Sequence, residues 1–323
     1  MKRAISGLLV LLATSQAASP AQEERFEQAY RLVNEYYWDL SSTGKDWPAI
    51  GEKYRLRLTE VSTWDELYKL LAQMYGELGD SHSTVLGPEQ ARALIGEGLC
   101  FPLPFPEAWS LTTSQAEGAS PPEFKANLEQ DQILYLRIPN LIQNGPLNRL
   151  EDQFQELEPK AKMGIILDLR GNPGGLTLHM ARVAGWFTRG ALWRIVTRGY
   201  GVLPQTTIPL WGTPLTSKPL VILIDQNVNS AAEGLAGALK LSGRGYLIGQ
   251  QTAGNTEAVI PYCFPDGAVA MVAAGVLAPL AGSTWEGRGV EPDLSPAAGD
   301  DPINLARNYL KNLSQKSGTG GGG

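Results

Sequence analysis

Hydrophobic positions divide the chain into an N-terminal part with helical spacing and a longer part in which apolar strands alternate with helices. Between Pro20 and Leu78, apolar residues recur every three or four positions, which indicates amphipathic helices. Thr63 and Glu66 have the spacing of a capping box, so we predict that a helix begins there. We expect residues 18–90 to form a small helical bundle. The first helix has a mainly aromatic stripe, which we assign to its core: Phe26, Tyr30, Val33 and Tyr37.

Beyond about Leu99, the alternation of strands and helices is typical of βαβ units and predicts an α/β core with a mainly parallel sheet over residues 91–300. Pro265-Asp266-Gly267 interrupts two apolar runs and predicts an antiparallel hairpin. A helix is expected at 301–316, and the glycine-rich tail 317–323 is expected to be disordered. The predicted strands are 133–138, 164–169 and 219–224, and the predicted core helices are 147–157, 177–186 and 230–241.

Residues 1–17 have the pattern of a secretory signal peptide: a cationic start, a short apolar run and small residues at the end. We therefore expect an exported protein, periplasmic or secreted, without a stable membrane anchor. The net charge of −6 and the lack of a Lys/Arg cluster argue against nucleic acid as a partner. The two cysteines, Cys100 and Cys263, exclude a cysteine zinc cluster; they either form a disulfide or remain unpaired and buried.

Three loops contain candidate catalytic residues. His82 follows a predicted helix end, in Gly-Asp-Ser-His-Ser, whereas the other histidine, His179, lies inside a predicted helix and is expected to be structural. Gly174 and Gly175 follow a buried strand, where consecutive glycines let backbone amides converge on an anion; a turn without a ligand is the alternative. Ser230 stands at a predicted helix N-terminus, either as a nucleophile or only as an N-cap.

Five segments in a fixed order resemble the family of C-terminal processing proteases and tricorn core proteases: LGDSHS, LDLRGNPGG, VNSAAEGLAGAL, GQQTAGNTEA and EGRGVEPD. The resemblance implies a crotonase-like (ClpP-like) α/β core with Ser230 as nucleophile. It also implies an oxyanion hole formed by the amides of Gly174 or Gly175 and of Ala231.

Two departures from the family pattern change the expected mechanism. Processing proteases have a catalytic lysine where this chain has Asn255, and an amide cannot act as a base. The tricorn-like branch instead uses a histidine, which here implies His82 as base, with Ser81 and Glu286 fixing the imidazole and its surroundings. Glu291 is the competing carboxylate, and its place in a turn favours a structural role. The chain between residues 100 and 132 is also too short for the PDZ domain of processing proteases.

The predicted function is that of a serine endopeptidase that cleaves unfolded or extended polypeptides through an acyl-enzyme, without a metal or an organic cofactor. The alternative is a non-catalytic protein that binds lipid, retinoid or peptide on the same fold, as interphotoreceptor retinoid-binding proteins do. Aromatic residues that could line an apolar groove support this alternative: Tyr30, Tyr36, Tyr37, Trp38, Phe101, Phe105 and Trp109. The oligomeric state is not predicted.

Overall fold

The computed structural model describes residues 17–41, 43–95, 123–208 and 215–319. The helices are α1 (Pro20–Tyr36), α2 (Trp47–Leu56), α3 (Trp64–Gly76), α4 (Pro88–Ile95), α5 (Asn144–Leu157), α6 (Thr177–Phe187), α7 (Ala231–Leu241) and α8 (Pro302–Thr319). The strands are β1 (Thr84–Leu86), β2 (Lys125–Leu128), β3 (Ile133–Arg137), β4 (Gly164–Asp168), β5 (Ala191–Thr197), β6 (Gly201–Thr206), β7 (Leu220–Ile224), β8 (Tyr246–Gly249), β9 (Glu257–Cys263) and β10 (Val269–Pro279).

The core contains a five-stranded sheet in the order β2-β3-β4-β7-β8, parallel except for β2. Alternate residues of β4 point to opposite faces: Ile165 and Leu167 pack in a cluster with α5, α6 and α7, and Ile166 packs with α8. This two-sided burial explains why the strands are continuous apolar runs. Because β4 and β7 are parallel neighbours, the loops that follow them lie at the same edge of the sheet.

The second sheet is antiparallel and is organised around the long strand β10. β10 pairs with β1, β5 and β9, and β6 pairs with β5 at the edge. The predicted hairpin is therefore confirmed as β9 and β10. The short strand β1 joins the loop containing His82 to this sheet.

Helices α1–α3 pack against the β9–β10 hairpin in a shared hydrophobic cluster. The predicted capping box is present, because Glu66 N–H donates to Thr63 Oγ1 and Thr63 N–H donates to the Glu66 carboxylate. Phe26, Val33 and Tyr37 of the aromatic stripe are buried as predicted. The bundle and the antiparallel sheet thus hold each other in place.

Where the structure describes them, the proposed groove aromatics contact other residues, and Tyr37 and Trp38 also line a cavity. Tyr30 stacks on Trp47 with ring centroids 5.6 Å apart, and Tyr36 stacks on Tyr200 at 5.8 Å. Trp38 donates to Glu257 at 3.0 Å. Phe101, Phe105 and Trp109 lie outside the described residues, as does nearly all of the predicted signal peptide.

The C-terminal helix is longer than predicted. Its start agrees, because Asp301 Oδ1 accepts a hydrogen bond from Ile303 N–H at 3.0 Å, but the helix continues to Thr319. Residues 317–319, expected in the disordered tail, therefore belong to α8. Extending a formed helix by a few residues needs no new nucleation, which explains the difference. Across the described ranges, no helix has both the length and the apolar character needed to cross a bilayer.

Candidate active site

Ser230 lies between β7 and α7 with a backbone that is unfavourable for a side-chain-bearing residue. Its φ is 53° and its ψ is −125°, and Gln132 is the only other non-glycine residue with positive φ in the described part of the chain. Ser230 is 1% exposed. Strained residues of this kind persist where surrounding contacts enforce them, and they cluster at functional sites. The backbone thus separates Ser230 from an ordinary N-cap, whose φ and ψ are in the β region.

The contacts that enforce this conformation centre on Glu233. One carboxylate oxygen accepts from the amides of Ser230 and Asn255, both at 3.0 Å. The other accepts from Thr252 Oγ1 and Gly254 N–H, both at 2.6 Å. Burial raises the pKa of Glu233, while these hydrogen bonds oppose the rise. Sequence reasoning missed this role, although the three-residue spacing from Ser230 to Glu233 is that of a capping box.

The glycine turn after β4 packs directly against Ser230. At Gly174, with φ +94°, a Cβ atom would lie 2.7 Å from Ser230 Cβ and 3.0 Å from Ala231 N. At Gly175, with φ +143°, it would lie 2.3 Å from the carbonyl carbon of Leu141. Only glycine fits either position without a shift of the neighbouring backbone.

The sequence did not decide which glycine amide, that of Gly174 or that of Gly175, belongs to the oxyanion hole. The two amides differ in their hydrogen bonds. Gly174 N–H donates to Asn172 Oδ1 at 2.8 Å, so it is engaged inside the turn. Within the described ranges, the amides of Gly175 and Ala231 donate to no acceptor. The backbone carbonyl oxygen of Asn172 accepts from Asn229 N–H at 2.9 Å, which joins the glycine turn to the serine turn.

His82 lies in the loop between α3 and β1, with its side chain 0% exposed. Its Nδ1 is 3.0 Å from Glu257 Oε2. The other oxygen of Glu257 accepts from Trp38 Nε1 at 3.0 Å and from Tyr37 OH at 3.4 Å. His82 Nε2 is buried and has no partner among the described residues. The carboxylate holds Nδ1, and Nε2 makes no hydrogen bond to Ser230 Oγ or to another described atom.

Asn255 connects the serine and histidine loops. Its carbonyl oxygen accepts from Ser230 N–H at 2.9 Å, and its Nδ2 donates to Ser81 Oγ at 2.9 Å. Glu257, two residues later, contacts His82. The segment from 255 to 257 therefore touches both loops, which the sequence alone could not place together.

Ser81 and Glu286, assigned from the sequence to fix the imidazole and its surroundings, have other partners. Ser81 Oγ accepts from Asn255, and Glu286 Oε2 accepts from the amide and hydroxyl of Thr256. Burial and the nearby charge of Glu257 raise the pKa of Glu286. The carboxylate on the His82 ring is Glu257 instead, because β9 brings the start of the hairpin against the histidine loop. In the sequence, the one feature that could have pointed to Glu257 is its position within the family-like segment GQQTAGNTEA.

His179, Lys240 and Cys263 have structural contacts. His179 Nδ1 contacts the carbonyl oxygen of Leu141 at 2.8 Å, and burial lowers its pKa. Lys240 donates to the backbone oxygen of Glu291 at 2.6 Å and so stabilises the turn that contains Glu291. Cys263 is disulfide-bonded, and the other cysteine of the chain, Cys100, lies outside the described residues.

A cavity of about 540 Å³ lies beside Glu257. Asp80, Glu257 and Glu286 line it together with Tyr37 and Trp38, and its described lining contains no lysine or arginine. Burial, then the charges of Asp80 and Glu257, raise the pKa of Tyr37. One set of groups here could hold a metal ion: the ligand atoms of Asp80, His82 and Glu257 lie within 4.8 Å of one another.

Comparison with known proteins places these features in a family. The sequence pattern of Peptidase family S41 matches residues 132–295, about half of the chain, and that of the Tricorn protease C1 domain matches residues 20–76. A Carboxyl-terminal-processing protease of Picosynechococcus sp. is 25% identical over 76% of this chain and 76% of its own. Tricorn protease homolog 1 of Streptomyces coelicolor is 39% identical over 22% of this chain and 7% of its own. The solved photosystem II D1 C-terminal processing protease is similar in fold, with a TM-score of 0.64 and 20% identity over 89% of this chain and 96% of its own.

Proposed function

The chain belongs to peptidase family S41 and is a serine-type peptidase, and we propose that it is an exported endopeptidase that cleaves unfolded or extended polypeptides through an acyl-enzyme. In this proposal Ser230 is the nucleophile, His82 the general base and Glu257 the group that orients it. The signal-peptide pattern of residues 1–17 supports export to the periplasm or the medium. The helix-flanked parallel sheet supports a crotonase-like core.

The observation that carries the proposed mechanism is the arrangement of the His82 ring. With Glu257 accepting at Nδ1, the proton of the neutral imidazole sits on Nδ1 and the lone pair on the unpartnered Nε2. That tautomer is the one that can take the proton from Ser230 Oγ as it attacks the scissile carbonyl. Glu257 then stabilises the imidazolium that forms.

The amides of Gly175 and Ala231 are proposed to bind the oxyanion of the tetrahedral intermediate. Their N–H groups donate to no described acceptor, and the glycine turn packs against Ser230. Ala231 is the first residue of α7, so the positive end of the helix dipole also faces the developing charge. Gly174 contributes by its lack of a side chain, since its amide already donates to Asn172.

The remaining steps use the same groups. His82 gives its proton to the leaving amine, and the C-terminal fragment departs. A water molecule then attacks the acyl-enzyme with Nε2 as base, which regenerates Ser230 and releases the second fragment.

The burial of Ser230 supports extended chains as substrates. A nucleophile that is 1% exposed is out of reach of the convex surface of a folded protein. A single extended strand is narrow enough to enter, and its backbone can present one carbonyl to the serine. The polypeptide substrate is thus proposed to bind without its own tertiary structure.

The test is to replace Ser230 by alanine and to measure hydrolysis of a denatured protein and labelling by a fluorophosphonate probe. Ser230→Ala should abolish both activities and leave the melting temperature close to that of the parent. Ser242→Ala is the matched control, because Ser242 ends the same helix and its hydroxyl donates only to Leu239 O. Undiminished hydrolysis in Ser230→Ala, or labelling at another residue, would show that the nucleophile is misassigned.

A further inference from the structure

We propose that Asp80, His82 and Glu257 form a zinc site behind the catalytic base, and that zinc bound there switches the peptidase off. The metal site itself does not depend on the proposed function. The inhibition does, because it acts through His82 as base.

The donor set fits zinc in both composition and spacing. The ligand atoms of one imidazole and two carboxylates lie within 4.8 Å of one another, and Nδ1 of His82 is already 3.0 Å from Glu257 Oε2. Two ligands of a tetrahedral zinc ion are about 3.3 Å apart, given bond lengths of about 2.0–2.2 Å. Side-chain shifts of about an ångström therefore suffice for coordination. A set of three protein ligands with an open fourth position is common for zinc.

Asp80 has an oxygen free for this role. Its Oδ1 accepts from the backbone amides of His82 and Ser83, at 2.8 and 2.5 Å, which fixes the carboxylate beside the imidazole. Its Oδ2 is buried and makes no hydrogen bond of normal geometry among the described residues; the nearby Tyr37 hydroxyl, which interacts with the Asp80 carboxylate, donates to Glu257 at 3.4 Å. A buried carboxylate oxygen without a well-formed hydrogen bond is costly, and a cation in contact with it would remove that cost.

The electrostatic surroundings also favour a cation. Asp80 and Glu257 line the cavity together with a third carboxylate, Glu286, and no lysine or arginine lines it in the described part of the chain. The described residues provide neither Asp80 nor Glu257 with an ion pair to lysine or arginine. The cavity of about 540 Å³ is large enough to admit a hydrated ion.

Coordination at Nδ1 would change the tautomer of His82. The metal takes the Nδ1 lone pair, so the single ring proton of the neutral imidazole moves from Nδ1 to Nε2. Nε2–H is a donor and cannot accept the Ser230 proton. The ring stays neutral and no net proton is released from it, yet the base is lost.

The binding test uses the full chain with Ser230→Ala, which leaves the three ligands unchanged and prevents self-digestion. Calorimetric titration with zinc chloride should give one site per chain, and adding Asp80→Asn should weaken zinc binding at least about tenfold. Asparagine keeps the oxygen that accepts from the two amides, so the loop should stay folded, as a thermal melt checks. Asp152→Asn is the control, because it removes the same charge from the exposed face of α5 and should leave zinc affinity unchanged. No saturable binding, or equal affinity in Asp80→Asn, would overturn the site.

The inhibition test measures the rate at which a fluorophosphonate probe labels Ser230. Zinc should slow labelling, EDTA should restore it, and Asp80→Asn should need about ten times more zinc for half inhibition, relative to its own zinc-free rate. Zinc binding with unchanged labelling would overturn the inhibition but keep the site. No labelling even without zinc would overturn the proposed function together with the inhibition, while calorimetry would still decide the metal site.

Discussion

Glu257 Oε2 lies 3.0 Å from His82 Nδ1, and the two residues are 175 positions apart in the chain. One residue begins a strand of the antiparallel sheet, and the other lies in the loop that leaves the helical bundle. Their contact therefore requires the bundle to be docked on the β9–β10 hairpin. The predicted base is held by a residue from a different structural unit.

Replacing Glu257 by glutamine should reduce kcat about 10²- to 10⁴-fold with a smaller change in KM. A glutamine amide can donate to Nδ1 and so favours the tautomer with the proton on Nε2. The measurement is steady-state hydrolysis of a fluorogenic peptide.

Glu286→Gln and Glu291→Gln are the controls for this prediction. Glu286 accepts from Thr256 rather than from the imidazole, and Glu291 is exposed. Both should retain more activity than Glu257→Gln. A larger loss in Glu286→Gln than in Glu257→Gln would favour the tricorn-like assignment of Glu286 over the contact seen here.

Glu233→Gln should destabilise the protein by about 2–5 kcal/mol. The carboxylate accepts four hydrogen bonds, and a glutamine NH₂ would face two of the donors in either orientation. Of these donors, Ser230 N–H alone keeps another acceptor, the Asn255 carbonyl oxygen, so at least one buried donor would be left unpaired. Urea unfolding gives the free energy of unfolding. The control is Glu156→Gln, where an exposed i,i+4 ion pair with Lys160 is lost and the cost should stay below about 0.5 kcal/mol. Equal costs in the two variants would contradict the central role of Glu233.

Gly174→Ala should lose fluorophosphonate labelling and destabilise the fold by about 1–3 kcal/mol or more. The added methyl would meet Ser230 Cβ at 2.7 Å and so displace the nucleophile. Gly171→Ala is a matched control in the same turn: its φ is +69°, but a Cβ there would meet nothing within 4 Å. Gly171→Ala should therefore lose stability through backbone strain alone and should still be labelled.

The stabilisation contributed by Asp168 should decline in acid. Burial acts to raise the pKa of Asp168, but hydrogen bonds from Arg170 and Tyr135, with the charges of Arg170 and Arg137, hold it below its usual 3.8. Between the lowered pKa and 3.8, the unfolded chain binds the proton more readily, so stability falls as pH falls through this range.

The measurement is the difference in free energy of unfolding between the parent and Asp168→Asn, followed from about pH 6 to pH 3. Carboxylates common to both proteins cancel in this difference. The difference should be constant above about pH 5 and shrink below about pH 4. A difference that grows on acidification would have the wrong sign and would show that the pKa is raised.

Local sequence patterns were sufficient for most of the helices and strands. Periodicity located the strands at 133, 164 and 220 and the helices after them, because the spacing of apolar residues reflects which face of each element is buried. The same patterns placed the glycine turn and Ser230 after strands. Once β4 and β7 pair in parallel, both loops lie at one edge of the sheet.

Only the tertiary structure decided which polar groups meet. The family resemblance assigned Glu286 as the carboxylate near the histidine. It did not decide whether the Gly174 or the Gly175 amide belongs to the oxyanion hole, because both glycines fit the segment equally well. Docking of the bundle placed Glu257 on His82, and the Asn172 side chain occupied the amide of Gly174. Hydrogen bonds between residues far apart in sequence depend on orientations to within about an ångström, and hydrophobic periodicity, which fixes only the face of an element, contains no such information.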